Sequence, residues 1–141
     1  MSSATAPEPV LRPVGRVRST LVDRKAAPRQ GDEGAPDAFV DIDPAFAPAL
    51  LGLEVGDELV VITWLDRGSR DVLQVHPRGE LANPLTGVFA TRSPDRPNPL
   101  GLHAVTLKAI EGSTLTVGPL EALDGTPVVD IKPVLAGVAD R

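Results

Sequence analysis

The chain of 141 residues suits one domain with a substantial core, and its 15 prolines and 13 glycines disfavour long helices. It has no cysteine and only two histidines, which excludes disulfides, thiolate nucleophiles and three-histidine metal sites within one chain, so we expect no metal. The net charge of −5 argues against nucleic-acid binding through overall basic charge, so a polyanion would have to meet a local patch such as the arginines of residues 1–29.

Short β-type segments separated by turn signals recur along the chain, and they predict a mainly β fold of the sandwich or barrel type. The apolar segment 59–65 predicts a central strand with Trp64 in the core, and 71–76 is expected to be its hairpin partner. The predicted strands do not alternate regularly with helices, so a doubly wound parallel sheet is not expected. In chain order we expect strands at 14–20 and 38–43, a helical turn at 44–53, and strands at 59–65, 71–76, 87–91, 103–110, 114–117 and 127–132.

No segment has the length of apolar sequence that crosses a membrane, and the N-terminus has neither the basic start nor the apolar run of a signal peptide. We therefore expect a cytoplasmic protein without a membrane partner. The predicted division of the chain is a disordered tail at 1–11, one domain at 12–136 and a second tail at 137–141.

The segment GVFATRSPDRPNPLGL at 87–102 holds the densest set of candidate functional side chains. Its three closely spaced prolines fix φ and push the preceding residues into extended geometry, so the loop is expected to be rigid before a ligand binds. A rigid loop that presents Arg92, Arg96 and Asn98 would form a preorganised binding wall, because little ordering cost opposes binding. The alternative is an ordinary proline-rich surface turn.

Two further segments carry groups that suit a polar ligand. Arg29, within PRQ at 28–30, can bind a carboxylate through two parallel hydrogen bonds, although an exposed loop is the alternative. Asp130 and Lys132 share one face of a predicted strand, because alternate residues of a strand point to the same side. They form either a polar wall, where a carboxylate orients an amine, or a surface ion pair of little energetic weight.

Signatures of dinucleotide binding, of P-loop phosphate binding and of α/β-hydrolases (GxGxxG, GxxxxGK[ST] and GxSxG) are absent from the sequence. The segments at 87–102 and 124–133 (DGTPVVDIKP) instead resemble the TsaA-like (YaeB-type) family of S-adenosylmethionine-dependent tRNA methyltransferases. PRQG at 28–31 and VGRVRS at 14–19 fall where that family has similar segments. The resemblance therefore covers about residues 13–134.

This resemblance implies a single compact antiparallel β-barrel-like domain with short helical turns, not a Rossmann methyltransferase. It also implies S-adenosylmethionine as the methyl donor, usually in a homodimer. The reaction characterised for the family is methylation of N6 of threonylcarbamoyladenosine beside the anticodon, so tRNA is the implied partner.

Carried over by position, the resemblance also implies a set of cofactor contacts. Arginines in this set would bind the carboxylate of S-adenosylmethionine, and acidic residues would bind its cationic groups or ribose hydroxyls. The implied contacts are Pro28, Arg29, Gln30, Leu65, Asp66, Arg92, Leu102, Glu121, Ala122, Leu123 and Asp124.

The candidates for catalysis are Asp130, Asp124 and Lys132, and those for substrate binding are Arg96 and Asn98. An exocyclic adenine amine is a poor nucleophile, so a carboxylate that hydrogen-bonds it and accepts a proton would assist transfer, with Asp130 as the first candidate. The chain departs from the family at Asp66, where a His commonly ends the strand. It also departs at the residue expected to open a strand, His103, where Ser is usual.

Two alternatives to a tRNA methyltransferase remain open. The first is a small-molecule methyltransferase on the same fold, which the acidic net charge and an expected lack of the extra C-terminal domain of longer members favour. The second is a non-catalytic S-adenosylmethionine-binding domain, which would need only the cofactor contacts.

Overall fold

The computed structural model describes residues 6–23 and 34–135. Their strands are β1 (Gly15–Arg18), β2 (Ala38–Ile42), β3 (Glu58–Trp64), β4 (Gln74–Val75), β5 (Thr86–Gly87), β6 (Leu100–Glu111), β7 (Thr114–Gly118) and β8 (Pro127–Pro133). Six of these form a closed antiparallel barrel in the order β1–β2–β7–β6–β3–β8, and β4 pairs with β5 in a separate sheet. The prediction of a mainly β, compact antiparallel barrel is confirmed, whereas the boundaries at residues 12 and 136 stay predictions.

The barrel interior is filled by β-branched and leucine side chains from alternate positions of every strand. In β3 the inward residues Leu59 and Val61 are fully buried; Val105 of β6 lies opposite Leu59, and Leu107 is buried on the same face of β6. Burial of one such side chain stabilises the fold by roughly 1.5–3 kcal/mol, so the alternating pattern fixes which face of each strand turns inward. Trp64 is an exception to the prediction, because it falls on the outward face of β3 and is half-buried against Arg70, not in the core.

The segment 44–53 contains the predicted helical turn, which is a 3₁₀ helix at Pro44–Leu50. Asp43 caps this helix, since its Oδ1 accepts a hydrogen bond from the backbone N–H of Ala45 at 3.0 Å. Phe46 and Leu50 pack against the core and cover one end of the barrel.

The predicted hairpin between 59–65 and 71–76 is wrong. β3 pairs with β6 along its whole length and with β8 on its other side, so both of its edges are occupied by strands that are distant in sequence. From 71–76 only Gln74 and Val75 form a strand, and their partner is β5. The polar turn after β3 therefore leads into an excursion, residues 66–99, that connects β3 to β6.

The predicted strand at 87–91 is also wrong for most of its length. Gly87 ends β5, and Val88–Ala90 form a 3₁₀ helix that Thr91 closes by hydrogen bonds to the carbonyl of Val88. By contrast β6 is longer than the predicted 103–110, and a bulge between Leu107 and Ala109 lets it pair with β3 and then with β7.

Candidate functional site

One end of the barrel gathers most of the implied cofactor contacts. At this end β3 finishes at Trp64 opposite Leu100, where β6 begins, and β8 starts at Pro127. We call it the mouth of the barrel. The connection at 119–126 crosses the mouth and buries Leu120 completely, so it caps the core on this side. Within this connection Ala122 and Leu123 are buried, whereas Glu121 and Asp124 keep part of their surface in solvent.

A hydrogen-bonded network of three side chains lies inside the mouth. His103 Nδ1 is 2.6 Å from Glu121 Oε1, and His103 Nε2 is 2.7 Å from the hydroxyl of Thr63. Thr63 and His103 are 0% and 4% exposed, because both sit at inward positions of adjacent strands. Gly101, one inward position before His103, leaves the room that this network occupies. Sequence reasoning missed this network, although the alternation of His103 with Val105 and Leu107 already placed it on the inward face.

Asp124 ties the mouth to the end of β1. Its Oδ1 accepts a hydrogen bond from the backbone N–H of Ser19 at 3.0 Å, and its own N–H donates to the carbonyl of Leu21 at 2.7 Å. The chain continues from Leu21 towards PRQ at 28–30, and Pro28, Arg29 and Gln30 lie outside the described residues. Asp124 thus holds the connection at 119–126 against the end of β1, and its cofactor-binding and catalytic roles stay predictions.

The proline-rich segment forms a second wall of the mouth. Arg96 donates hydrogen bonds to the carbonyl oxygens of Val88, Thr91 and Ser93 at 2.9–3.0 Å, so its guanidinium braces its own loop. Asn98 Oδ1 accepts a hydrogen bond from Arg70, which also donates to the carbonyl of Pro97. Both predicted substrate-binding side chains are therefore engaged within the wall.

Segment 65–70 packs against this loop and completes the wall. Leu65 donates its N–H to the carbonyl of Pro99 at 2.7 Å, and Ser69 donates its N–H to Asp95 Oδ1 at 2.8 Å. Asp66 is exposed next to Leu65. Arg92 is exposed and makes no hydrogen bond or ion pair within 6–23 and 34–135, so its guanidinium is available to an anionic ligand group. We refer to residues 65–70 and 88–99 together as the loop wall.

Asp130, Lys132 and Leu102 lie on the outside of the barrel. Asp130 is paired with Ile62 and Lys132 with Val60. Measured along β3 from Trp64, at the mouth, Asp130 is therefore about 7 Å away and Lys132 about 13 Å away. Leu102 sits on the other side of Ile62 and is half exposed. Asp130 Oδ1 accepts a hydrogen bond from the N–H of Ile131, and Asp130 also borders an apolar groove. That groove is lined otherwise by Val14, Ile42, Phe46, Ala49, Leu50, Leu51, Leu53, Ile131 and Pro133.

One exposed ion pair lies on the barrel surface between β1 and β2. Arg18 donates two hydrogen bonds to Asp41 at 2.8 and 3.0 Å and stacks over Phe39. The hydrogen bond from Arg18 holds the pKa of Asp41 below its usual value, outweighing the opposite effect of partial burial.

Among the described residues no cluster of three or more His, Asp or Glu is placed to hold a metal ion. In the same ranges, no helix is long and apolar enough to cross a membrane.

Comparison with known proteins identifies relatives along almost the whole chain. Residues 16–140 match the family model described as the tRNA-methyltransferase O N-terminal domain. A probable S-adenosyl-L-methionine-binding protein of Methanothermobacter thermautotrophicus is 46% identical over 123 residues, which cover 87% of this chain and 88% of the relative. A protein of Archaeoglobus fulgidus with the same description is also 46% identical over 123 residues, but these cover only 33% of its length.

Two solved structures, both of TrmO, are also similar to this chain. The crystal structure of TrmO from Pseudomonas aeruginosa is 31% identical with a TM-score of 0.73, over 96% of this chain and 61% of that one. A second crystal structure of TrmO is 33% identical with a TM-score of 0.74, over 96% of this chain and 62% of that one. The chain thus spans about three fifths of the solved TrmO chains and one third of the Archaeoglobus relative.

Proposed function

Because the chain belongs to the tRNA-methyltransferase O N-terminal domain family, we propose that it is an S-adenosylmethionine-dependent methyltransferase whose cofactor binds at the mouth of the barrel. The observation that carries this proposal is that one guanidinium and one carboxylate oxygen at the mouth are available to bind a ligand. Within residues 6–23 and 34–135, the exposed guanidinium of Arg92 on the loop wall has no partner, and Glu121 in the connection 119–126 uses only Oε1. The name of the Methanothermobacter relative, an S-adenosyl-L-methionine-binding protein, supports the same cofactor.

The chemistry of these groups fits the cofactor. When bound, S-adenosylmethionine supplies an electrophilic methyl group. Arg92 is suited to its carboxylate because a guanidinium binds a carboxylate through parallel hydrogen bonds. Glu121 and Asp66 accept hydrogen bonds and so suit its ammonium or ribose hydroxyls. The main contribution of the protein to transfer would be positioning, since attack on the methyl group is an in-line displacement.

We propose further that the acceptor is N6 of threonylcarbamoyladenosine in tRNA. The family description, a tRNA methyltransferase, supports tRNA as the acceptor molecule, and the choice of nucleoside and atom rests on the sequence resemblance. In this proposal the acceptor approaches along the outer face of β8, where Asp130 accepts a proton from the amine and Lys132 lies beside it on the same face. A homodimer and a cytoplasmic location belong to the same proposal.

Transfer of labelled methyl groups tests the proposal. Wild-type protein is incubated with methyl-labelled S-adenosylmethionine and bulk tRNA from cells that lack the endogenous activity, and the nucleosides are then separated. Label in N6-methylated threonylcarbamoyladenosine is the expected result, and absence of label from tRNA contradicts the acceptor. Asp130→Asn should abolish turnover and leave cofactor affinity near the wild-type value; unchanged turnover would remove Asp130 from the role.

A small-molecule acceptor is the second candidate, and the acidic charge of the chain favours it. The net charge is −5, and residues 34–66 hold seven acidic side chains and no basic one. Binding of tRNA weakens steeply with salt because phosphate contacts release counterions, whereas binding of a small neutral acceptor does not. Salt titration therefore separates the two candidates. Cofactor binding without transfer to any acceptor would instead indicate a binding domain without catalytic activity.

A further inference from the structure

The network inside the mouth contains a buried hydroxyl whose proton has one acceptor. Thr63 is fully buried, and its hydroxyl lies 2.7 Å from His103 Nε2. No other hydrogen bond of this side chain occurs in the described part of the chain, and no buried side-chain nitrogen or oxygen there lacks a partner. Because a buried hydroxyl proton without an acceptor is costly, the favoured arrangement is the one in which Thr63 donates to Nε2 and Nε2 carries no proton.

This assignment fixes the proton on the other ring nitrogen. An imidazole without a proton on Nε2 carries it on Nδ1, and Nδ1–H then donates to Glu121 Oε1 at 2.6 Å. The opposite arrangement, in which Nε2–H donates to Thr63, would leave the hydroxyl proton inside the barrel without an acceptor. Thr63 thus orients His103, and His103 in turn orients Glu121.

The second oxygen of Glu121 is left for a ligand. The side chain is 13% exposed, and of its two oxygens only Oε1 has a partner within residues 6–23 and 34–135. Because no buried side-chain oxygen lacks a partner, Oε2 must reach solvent at the mouth. A mostly buried carboxylate held by one neutral donor is poorly compensated, and a further N–H or O–H donor would stabilise it.

We propose that His103 is a positioning residue that, locked by Thr63 in the Nδ1–H form, holds the Glu121 carboxylate so that Oε2 receives an N–H or O–H donor group of the bound ligand. With S-adenosylmethionine as that ligand, the donor is its ammonium or a ribose hydroxyl, so this part rests on the proposed function. Positioning is distinct from packing, because it requires a donor at Nδ1 and not only the volume of the ring.

The first test reads the proton directly and needs no ligand. With two histidines in the chain, long-range ¹H–¹⁵N correlation on histidine-labelled protein gives two ring systems, and His103→Asn identifies those of His103 by their loss. A proton on Nδ1 and none on Nε2 is expected, and Thr63→Val should weaken this preference. A ring protonated on Nε2, alone or together with Nδ1, would overturn the assignment.

The second test measures S-adenosylmethionine affinity by calorimetry in four variants. In His103→Asn the amide nitrogen lies the same number of bonds from Cα as Nδ1, so a donor to Glu121 remains and affinity should fall less than about 5-fold. In His103→Leu the volume is kept but the donor is lost, so affinity should fall at least about 10-fold, as for loss of a hydrogen bond to a charged group. Thr63→Val should fall between these two.

Thr106→Val is the matched control, because it removes a hydroxyl of the same strand as His103 that donates to Glu58 on the outer face. Its affinity should stay within about 2-fold of wild type, and melting temperatures verify that each variant is folded. Equal losses for His103→Asn and His103→Leu, or no loss in either, would overturn the positioning role. A wild-type protein that binds no S-adenosylmethionine would contradict the proposed function instead, and the ring proton would still decide the assignment of His103.

Discussion

The two walls of the barrel mouth hold their polar groups by different means. On the inner side, Thr63, His103 and Glu121 contact one another through side chains, and two of them are placed by strand pairing. On the loop wall, the arginines at 70 and 96 donate mainly to backbone carbonyls. An inner group is thus fixed by the register of β3 and β6, whereas a loop group is fixed by braces that a single substitution removes.

At this site, residues of the same type have different roles. Arg92 and Arg96 belong to the same loop. The guanidinium of Arg92 is exposed and has no partner among the described residues, whereas that of Arg96 makes three hydrogen bonds to the backbone of its own loop. Separate replacement of the two arginines is the strongest test of this difference.

Arg96→Ala should cause the largest loss of stability at the mouth. Loss of its three hydrogen bonds is expected to lower the free energy of unfolding by about 2–4 kcal/mol, since bonds to charged donors are the stronger class. Arg92→Ala is the matched control and should stay within about 0.5 kcal/mol in urea denaturation, while it weakens cofactor binding. Equal stability of the two variants would mean that Arg96 does not brace the loop.

Gly101→Ala tests the inner side, where strands cannot move apart. A Cβ at this position would lie 2.5 Å from the Thr63 hydroxyl and 2.6 Å from His103 Nε2. Overpacking of this kind is expected to cost about 1–3 kcal/mol, measured by thermal denaturation. Gly87→Ala is the control, because nothing lies within 4 Å of a Cβ there. A Gly101→Ala variant as stable as this control would contradict the rigidity of the inner side.

Gly68→Ala makes the same change in the loop wall. The new Cβ would overlap the backbone carbonyl oxygen of Pro94, so segment 65–70 must move away from the proline-rich loop. Because a loop can yield where paired strands cannot, we expect a loss of only about 1 kcal/mol. Hydrogen exchange should nevertheless accelerate at the amides of Ser69 and Arg96, which bond across the two segments. Unchanged protection of these amides would show that the segments are not in contact.

The smallest effect concerns a carboxylate held outside the barrel, in the pair Arg18–Asp41. The pKa of Asp41 is lower in the folded than in the unfolded chain, so the pair stabilises the fold above the unfolded value near 3.8 and loses that contribution as pH falls through the folded value. Asp41→Asn should therefore flatten the acid limb of a stability–pH curve only slightly, since the pair is exposed. A large change at neutral pH would contradict this assignment.

Local patterns in the sequence predict the barrel strands well but not their partners. The strands at 38–43, 59–65 and 114–117 follow from alternation and β-branched content, which are properties of neighbouring residues. The pairing of β3 with β6 and β8 depends instead on closure of the barrel, and no turn signal near β3 encodes it. The core position predicted for Trp64 is wrong for a different reason: most positions of β3 are apolar, so its sequence does not show which face turns inward.

The site is predicted less completely than the fold. The proline-rich segment predicts a rigid wall, and in the structure this segment lines the mouth, but the bracing role of Arg96 depends on carbonyl groups whose direction only the folded loop defines. The network of Thr63, His103 and Glu121 joins positions far apart in the chain. Single residues of ordinary type at such separations leave no local signal.

The excursion at 66–99 has a consequence for how this barrel can diversify. It connects two adjacent antiparallel strands, and its ends are joined by the hydrogen bond from Leu65 N–H to the Pro99 carbonyl at 2.7 Å. A segment anchored in this way is modular: doubling its length would add only roughly 0.6 kcal/mol of closure entropy. Recombination of this one segment would thus exchange the loop wall and leave the scaffold and the inner network intact.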